Sequence, residues 1–140
     1  MALNEGGHRE IGGQLFGEQL APSQFLVTNL TVQARRGSYT RFIVDLFQAA
    51  RDAMRFFDST QHDYTRHNYI GEWHSHPSFK VRPSGTDLTT MRELVRDPGF
   101  KGTFAVLMIV RLDADCIAAA AWNFDPLGRE GVAQLEIEND

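Results

Sequence analysis

The chain has 140 residues, enough for one hydrophobic core, and its 42% hydrophobic and 23% charged residues are ordinary for a globular domain. A net charge of −4 gives no indication of nucleic-acid binding, and a single cysteine excludes both an intrachain disulfide and a cysteine-based metal site. No signal-peptide pattern follows Met1, and no apolar run approaches the roughly 20 residues of a membrane span. We therefore expect one cytoplasmic domain over residues 1–140, with no nucleic-acid or membrane partner.

Hydrophobic periodicity predicts strands that alternate with two amphipathic helices. The predicted strands are Ile11–Gly17, Phe25–Val32, Tyr69–His76, Thr103–Val110, Cys116–Phe124 and, weakly, Val132–Glu138. The predicted helices are about Asp45–Ser59 and Ser84–Arg96, the second of which a Pro-Gly pair stops. The strand from Thr103 is nearly all apolar, which predicts burial on both faces, and the strand after it should pair with it as a hairpin. This order predicts a mixed α/β fold with a mostly antiparallel sheet flanked by helices.

The segment from Glu72 to Asp87 carries the strongest chemical signal. His74 and His76 are two residues apart at the end of a predicted strand, so their side chains share a face. A prolyl loop follows, and Asp87 then lies in the first turn of the next helix, from which it can reach back. Two imidazoles, one carboxylate and an open fourth position make a catalytic zinc site, which can turn water into a nucleophile near neutral pH.

Each half of this pattern also has a plain structural interpretation. Ser84 is a good helix N-cap, and Asp87 would be an acid in the first turn, where it favours the helix dipole. A lone His-x-His on a strand is more often structural or fortuitous than a ligand pair. Joined by a short loop, the two features favour a metal site, and a cap and a ligand are compatible roles for one helical turn.

The run His-Ser-His-Pro at residues 74–77, followed after six residues by Ser84 and after two more by Asp87, resembles the signature of the JAB/JAMM (MPN-domain) zinc metalloproteases. Upstream, Glu10 begins a Glu-x-x-Gly-x-Leu-x-Gly segment that resembles the glutamate-bearing strand of these enzymes. The resemblance covers about Glu10 to Phe124 and implies the cytidine-deaminase-like α-β-α layering of that family.

The resemblance implies that His74, His76 and Asp87 bind one zinc ion. It also implies that Glu10 is the general base, which takes a proton from the attacking water and later delivers one to the leaving amine. Ser84 would stabilise the tetrahedral oxyanion. Glu72 is an alternative base, because strand alternation puts it on the face of the histidines. It could instead orient an imidazole, or be a surface residue.

The activity implied by the resemblance is a zinc-dependent isopeptidase or peptidase that cleaves at the C-terminal tail of a ubiquitin-like protein, by precursor processing or deconjugation. The compact chain is most similar to prokaryotic members, which act beside ubiquitin-activating-like and ubiquitin-conjugating-like enzymes, including in antiphage operons. One alternative is a protease that trims a sulfur-carrier protein to expose its terminal Gly-Gly, and another is a non-catalytic MPN scaffold that binds partners. A zinc nucleoside deaminase is excluded, because its site needs a Cys-x-x-Cys pair.

Overall fold

The computed structural model describes residues 11–34, 46–63, 66–76, 81–100, 102–113 and 116–136. The strands in these ranges are β1 (Ile11–Ala21), β2 (Gln24–Leu30), β3 (Gln33–Ala34), β4 (His67–Ser75), β5 (Ala105–Asp113), β6 (Cys116–Phe124) and β7 (Glu130–Ala133). The helices are α1 (Leu46–Ser59) and α2 (Gly85–Arg96). Neither helix is long and apolar enough to cross a membrane.

A mostly antiparallel sheet organises the described part of the chain. Its strand order is β2-β1-β4-β5-β6-β7, and β3 pairs with the beginning of β1. β4 and β5 run parallel, whereas the other pairs among the described strands are antiparallel. Parallel neighbours need a crossover connection, and α2 lies in the crossover between β4 and β5. The predicted mixed α/β class, with helices beside a mostly antiparallel sheet, is confirmed.

The observed strands follow the predicted order and differ mainly at their ends. β1 continues past Gly17 to Ala21, because its last residues pair with β2 across a tight turn in which Ser23 has a φ of 62°. β7 begins at Glu130, earlier than predicted, because it pairs there with the end of β6. The predicted hairpin of β5 and β6 is confirmed. Two predicted element ends, at residues 45 and 137–138, lie outside the described residues.

The core has two parts, one on each face of β5. Under α2, the buried cluster comprises Met91, Val95, Ala105, Leu107, Ile109 and Phe124. The buried cluster on the other face comprises Ile11, Leu15, Ile70, Trp73 and Val110. Val106 and Met108 on this second face are only half-buried. The predicted burial of both faces of β5 is therefore complete only on the face that α2 covers. Among the described residues, α2 covers the first face, whereas side chains such as Phe25, which packs against Phe104, cover the second.

α1 packs against the middle of the sheet through aromatic rings. Phe16 of β1 stacks on Phe56 of α1, with 4.7 Å between the ring centroids, and meets Tyr69 of β4 edge-on at 6.0 Å. Phe16 and Phe56 are 1% and 4% exposed, so their contact is buried against the part of the sheet where β1 and β4 pair. The spacing predicts a core stripe of Leu46, Ala49, Ala50, Ala53, Met54 and Phe57, and this prediction is only partly right where the side chains are described. Ala53 and Phe57 are half-buried, but Met54 is 54% exposed, and the buried residue is Phe56, outside the stripe.

Gly71 allows β4 and β5 to approach closely, and its replacement by alanine should be strongly destabilising. A Cβ at this position would collide with the backbone oxygen of Val106 and lie 2.6 Å from its nitrogen. Because backbone atoms in the centre of a sheet cannot move aside, we expect Gly71→Ala to lower the free energy of unfolding by about 3 kcal/mol or more in urea titrations. Gly131→Ala in β7 is the control, since nothing lies within 4 Å of its Cβ position. A Gly71→Ala protein as stable as this control would contradict the observed strand packing.

Candidate metal centre

The end of β4 presents its two histidines on one face, as the spacing predicts. His74 and His76 are 7% and 4% exposed, so both imidazoles are buried. The backbone N–H of His76 donates to the carbonyl oxygen of Val110 at 2.8 Å, which holds His76 to β5 just beyond the last residue of β4. Trp73 points to the opposite face, where its indole N–H donates to the carbonyl oxygen of Thr31 at 2.8 Å.

The beginning of α2 brings the carboxylate to the same place. Ser84 is the N-cap, and its Oγ accepts a hydrogen bond from the Asp87 backbone N–H at 3.1 Å. The Asp87 carboxylate in turn accepts from the Ser84 backbone N–H at 2.8 Å, which completes a capping box. The capping interpretation of this pair is therefore confirmed. While Asp87 Oδ2 serves the cap, the same carboxylate also faces the two histidines.

Three ligand atoms converge at this point. His74 Nε2 and His76 Nε2 are 3.1 Å apart, and they lie 3.3 Å and 3.4 Å from Asp87 Oδ1 and Oδ2. Zinc bonds to nitrogen and oxygen of about 2.0–2.1 Å give tetrahedral edges of about 3.3–3.4 Å. The donor set is one that zinc takes, and one ligand atom from each of His74, His76 and Asp87 lies within 4.8 Å of the others, so the group could hold a metal ion.

Asp87 is poised to act as an anionic ligand. Partial burial alone would raise its pKa, but hydrogen bonds from His74 and His76, the charge of His74 and the Ser84 amide together hold that pKa well below its usual range. The carboxylate is consequently ionised at any physiological pH. A buried anion between two imidazoles is the electrostatic arrangement that a divalent cation would complete.

Glu10 lies outside the described residues, but the residue that follows it is placed beside the histidines. The backbone N–H of Ile11 donates to Ser75 Oγ at 3.0 Å in a buried hydrogen bond. Gly12 pairs across the sheet with His74, and a Cβ on Gly12 would lie 3.0 Å from His74 Cβ. The beginning of β1 is thus next to the end of β4 that carries the two ligands.

Glu72, the alternative base, has a partner that the sequence pattern did not indicate. Its Oε1 accepts a hydrogen bond from the Tyr69 hydroxyl at 2.6 Å. Regular alternation would put these two residues on opposite faces, but a register shift in the β1–β4 pairing leaves Ile70 as an extra residue between them. Burial raises the pKa of Glu72 to about 7, although the hydrogen bond from Tyr69 lowers it. The pKa of Tyr69 is also raised, mainly by burial and to a smaller extent by the charge of Glu72 and the hydrogen bond to it.

The raised pKa of Glu72 predicts a pH-dependent stability in metal-free protein. The folded state favours the protonated Glu72 carboxyl. The contribution of this carboxyl to the free energy of unfolding is therefore complete below the unfolded pKa of 4.5 and is lost as the pH rises to about 7. The loss amounts to about 3 kcal/mol, since one pKa unit corresponds to about 1.4 kcal/mol. Glu72→Gln keeps an acceptor for Tyr69 without a charge, and should be more stable than the natural chain at about pH 8 but not at about pH 4. Urea unfolding in chelator measures this difference.

Glu93→Gln is the matched control for this titration, because Glu93 lies exposed on α2. It should leave the pH profile of stability unchanged. An identical profile for Glu72→Gln and the natural chain would show that the Glu72 carboxyl titrates normally.

Comparisons with known proteins identify the family of the chain. The family described as prokaryotic homologs of the JAB domain matches residues 2–125 of the chain. A solution structure of a protein from Salinibacter ruber (strain DSM 13855) is similar, with a TM-score of 0.56 and 22% sequence identity over 96% of this chain and 80% of that chain. No curated protein matches the chain. The structural similarity supports the fold alone, whereas the family match spans β1 to the end of β6. The chain therefore belongs to the family of prokaryotic homologues of the JAB domain.

Proposed function

We propose that the chain is a zinc-dependent peptidase or isopeptidase of the JAB/JAMM type. The observation that carries this proposal is the convergence of His74, His76 and Asp87, each of which offers one ligand atom within 4.8 Å of the others. These side chains come from one strand end and the following helix, so the fold itself assembles them. Family membership is consistent with such an activity.

In this proposal the three ligands hold zinc, which supplies a Lewis acid and lowers the pKa of water to about 7. Glu10 acts as general base for the attacking water and then as acid for the leaving amine. Support comes from Ile11, the next residue, which is hydrogen-bonded to Ser75 between the two histidines. Ser84 stabilises the oxyanion. Its Oγ already accepts from the Asp87 amide, so its hydroxyl hydrogen can be donated to substrate.

The proposed substrate is the C-terminal tail of a ubiquitin-like protein, bound in an extended conformation, as tails commonly are when they add to a sheet. Processing of a precursor and removal of a conjugate require the same hydrolysis. The proposed partners in the cell are ubiquitin-activating-like and ubiquitin-conjugating-like enzymes, including those of antiphage operons. Trimming of a sulfur-carrier protein uses the same residues and differs in substrate alone. A non-catalytic scaffold is disfavoured, because the chain keeps Glu10 and Ser84 as well as the three converging ligands.

Cleavage of a substrate panel tests the proposal. The panel contains a ubiquitin-like protein with a C-terminal extension after Gly-Gly, the same protein joined to a lysine side chain, and a sulfur-carrier protein with an extended tail. We expect zinc-loaded natural protein to cleave after Gly-Gly in at least one of them, and Asp87→Ala to cleave none. Selective cleavage of the third substrate would favour the sulfur-carrier role. Zinc-loaded protein that cleaves none of them would favour the scaffold.

Ser84→Ala should separate the two roles of this residue. Loss of an oxyanion donor is expected to lower kcat by about 100-fold or more, with zinc retained. Loss of the N-cap should also cost about 0.5–2 kcal/mol of stability, measured by thermal unfolding. Ser84→Gly is the matched control for the cap, because glycine at this position costs only about a few tenths of a kcal/mol. If Ser84→Gly kept natural turnover, Ser84 would act as a cap alone.

A further inference from the structure

Ser75 lies between the two histidines in sequence but on the other face of β4. It is 4% exposed, so its hydroxyl is buried and does not face solvent. Its Oγ accepts the backbone N–H of Ile11 at 3.0 Å, across 64 residues of sequence. Neither its position nor its partner is explained by zinc ligation, because alternation turns its side chain away from the imidazoles.

This hydrogen bond extends the attachment of β1 to β4 beyond their regular pairing. The last cross-strand pair of these two strands joins Gly12 to His74. Ile11 then uses a side-chain acceptor where the ladder no longer supplies a backbone one. Ser75 is itself held on its other side, where it pairs with Val110 in the parallel β4–β5 ladder. The acceptor is therefore fixed relative to the histidines on either side of it.

Ile11 is in turn fixed by its own packing. It is 3% exposed, belongs to the buried cluster that contains Trp73 and Val110, and pairs with Ala34 of β3. The beginning of β1 at Ile11 is therefore fixed by a core contact and by one hydroxyl. A core side chain fixes the depth of the strand, whereas a directional hydrogen bond fixes its orientation and register.

The geometry assigns to Ser75 the role of a positioning residue for the general base. Its hydroxyl holds the amide of Ile11, the residue that directly follows Glu10 in the chain. This inference rests on the proposed function, in which Glu10 transfers the proton. Misplacement of a catalytic group by about 1 Å can cost on the order of 100-fold in rate, so a single hydrogen bond at this point can matter.

Thr31 provides a matched control, because its side chain also accepts a backbone N–H of β1. Its Oγ1 accepts the backbone N–H of Gln14 at 2.9 Å, in a part-buried hydrogen bond of the same type. Thr31→Val removes that acceptor with little change of shape, as Ser75→Ala does at Ile11. Both variants should lose stability, but only Ser75→Ala should affect proton transfer.

Kinetics of a double-mutant cycle test the inference. We expect Ser75→Ala to lower kcat by about 10–100-fold with zinc content and KM unchanged, and Ser75→Thr, which keeps the acceptor, to recover most of it. In a Glu10→Gln background, Ser75→Ala should have no further effect, because residues that act as a unit are not additive. The positioning role would be overturned if the kcat losses of Ser75→Ala and Glu10→Gln multiplied in the double variant. It would also be overturned if Thr31→Val lost as much kcat as Ser75→Ala.

A second readout does not require turnover. Cobalt replaces zinc, and the pH midpoint of its visible absorption is measured for the natural chain, Glu10→Gln, Ser75→Ala and Thr31→Val. Ser75→Ala should move the midpoint in the direction of Glu10→Gln, and Thr31→Val should not move it. If only Glu10→Gln moves the midpoint, the positioning role of Ser75 is wrong, but the metal centre is supported. If the midpoint shifts as expected but no substrate is cleaved, the proposed hydrolysis fails, whereas the effect of Ser75 on Glu10 is supported. A chain that binds no cobalt overturns both.

Discussion

Replacement of His76 by alanine is expected to abolish tight zinc binding. Elemental analysis of natural protein purified without chelators should find one zinc ion per chain, and the variant should contain none. The expectation follows from the geometry, because His76 Nε2 lies 3.1 Å from His74 Nε2 and 3.4 Å from Asp87 Oδ2. Its loss leaves two protein ligands. Replacement of a residue that hydrogen-bonds to a metal ligand already lowers metal affinity by about 10–100-fold. Loss of a ligand itself should therefore lower zinc affinity by more than about 100-fold.

The matched control is His62→Ala. His62 is exposed at the end of α1, where its imidazole is 2.9 Å from an Asp58 carboxylate oxygen. This variant should keep one zinc ion per chain, which excludes a general effect of removing imidazoles.

Thermal unfolding gives an independent measure of the same loss. Added zinc stabilises a protein that binds it in the folded state, by about 2.7 kcal/mol at about 100 times the Kd. We expect this gain for the natural chain and for His62→Ala, but not for His76→Ala. Circular dichroism without metal should show that all three proteins are folded. Natural protein that takes up no zinc, even when zinc is added, would remove the basis of the hydrolase proposal.

Glu10→Gln should retain zinc and lose turnover. Glutamine has nearly the same shape as glutamate but cannot exchange a proton, and a positioned general base contributes about 100- to 10,000-fold to the rate. We expect a loss of kcat in this range with little change in KM, measured on whichever panel substrate the natural chain cleaves. Zinc content should stay at one ion per chain, because the three ligand atoms of the centre belong to other residues.

Glu72→Gln is the decisive comparison for the identity of the base. The Glu72 carboxyl is engaged by the Tyr69 hydroxyl at 2.6 Å, and burial favours its neutral form. Because one of its oxygens is taken by the Tyr69 hydroxyl, we expect Glu72 to hold Tyr69 and not to take a proton from water. We expect this variant to keep turnover within a few-fold of the natural chain. If Glu72→Gln lost activity and Glu10→Gln kept it, the base would be Glu72.

The ligand geometry could be predicted because it depends on local periodicities. The period of two on a strand put His74 and His76 on one face, and the capping pattern put Asp87 in the first turn of α2. The class of fold followed in the same way from alternating strand and helix patterns. Each of these features is encoded within a few consecutive residues.

Features that depend on pairing between distant segments could not be predicted. The hydrogen bond of Tyr69 to Glu72 exists because the β1–β4 register shifts at Ile70, and a simple alternation cannot show such a shift. The contact of Ser75 with Ile11 likewise requires knowledge of which strand lies beside β4. Incomplete burial on the second face of β5 depends on what covers that face. No periodicity within β5 carries this information.

The arrangement of the centre has an evolutionary consequence. All three converging ligands come from the end of β4 and the first turn of α2, a short continuous stretch of chain. The proposed base belongs to a different segment, before β1. Natural variation could therefore abolish proton transfer by changing one codon and leave the metal-holding stretch intact. Descendants of such a change would still fold around metal and could be retained for recognition alone, so metal content is a poor guide to which relatives still cleave.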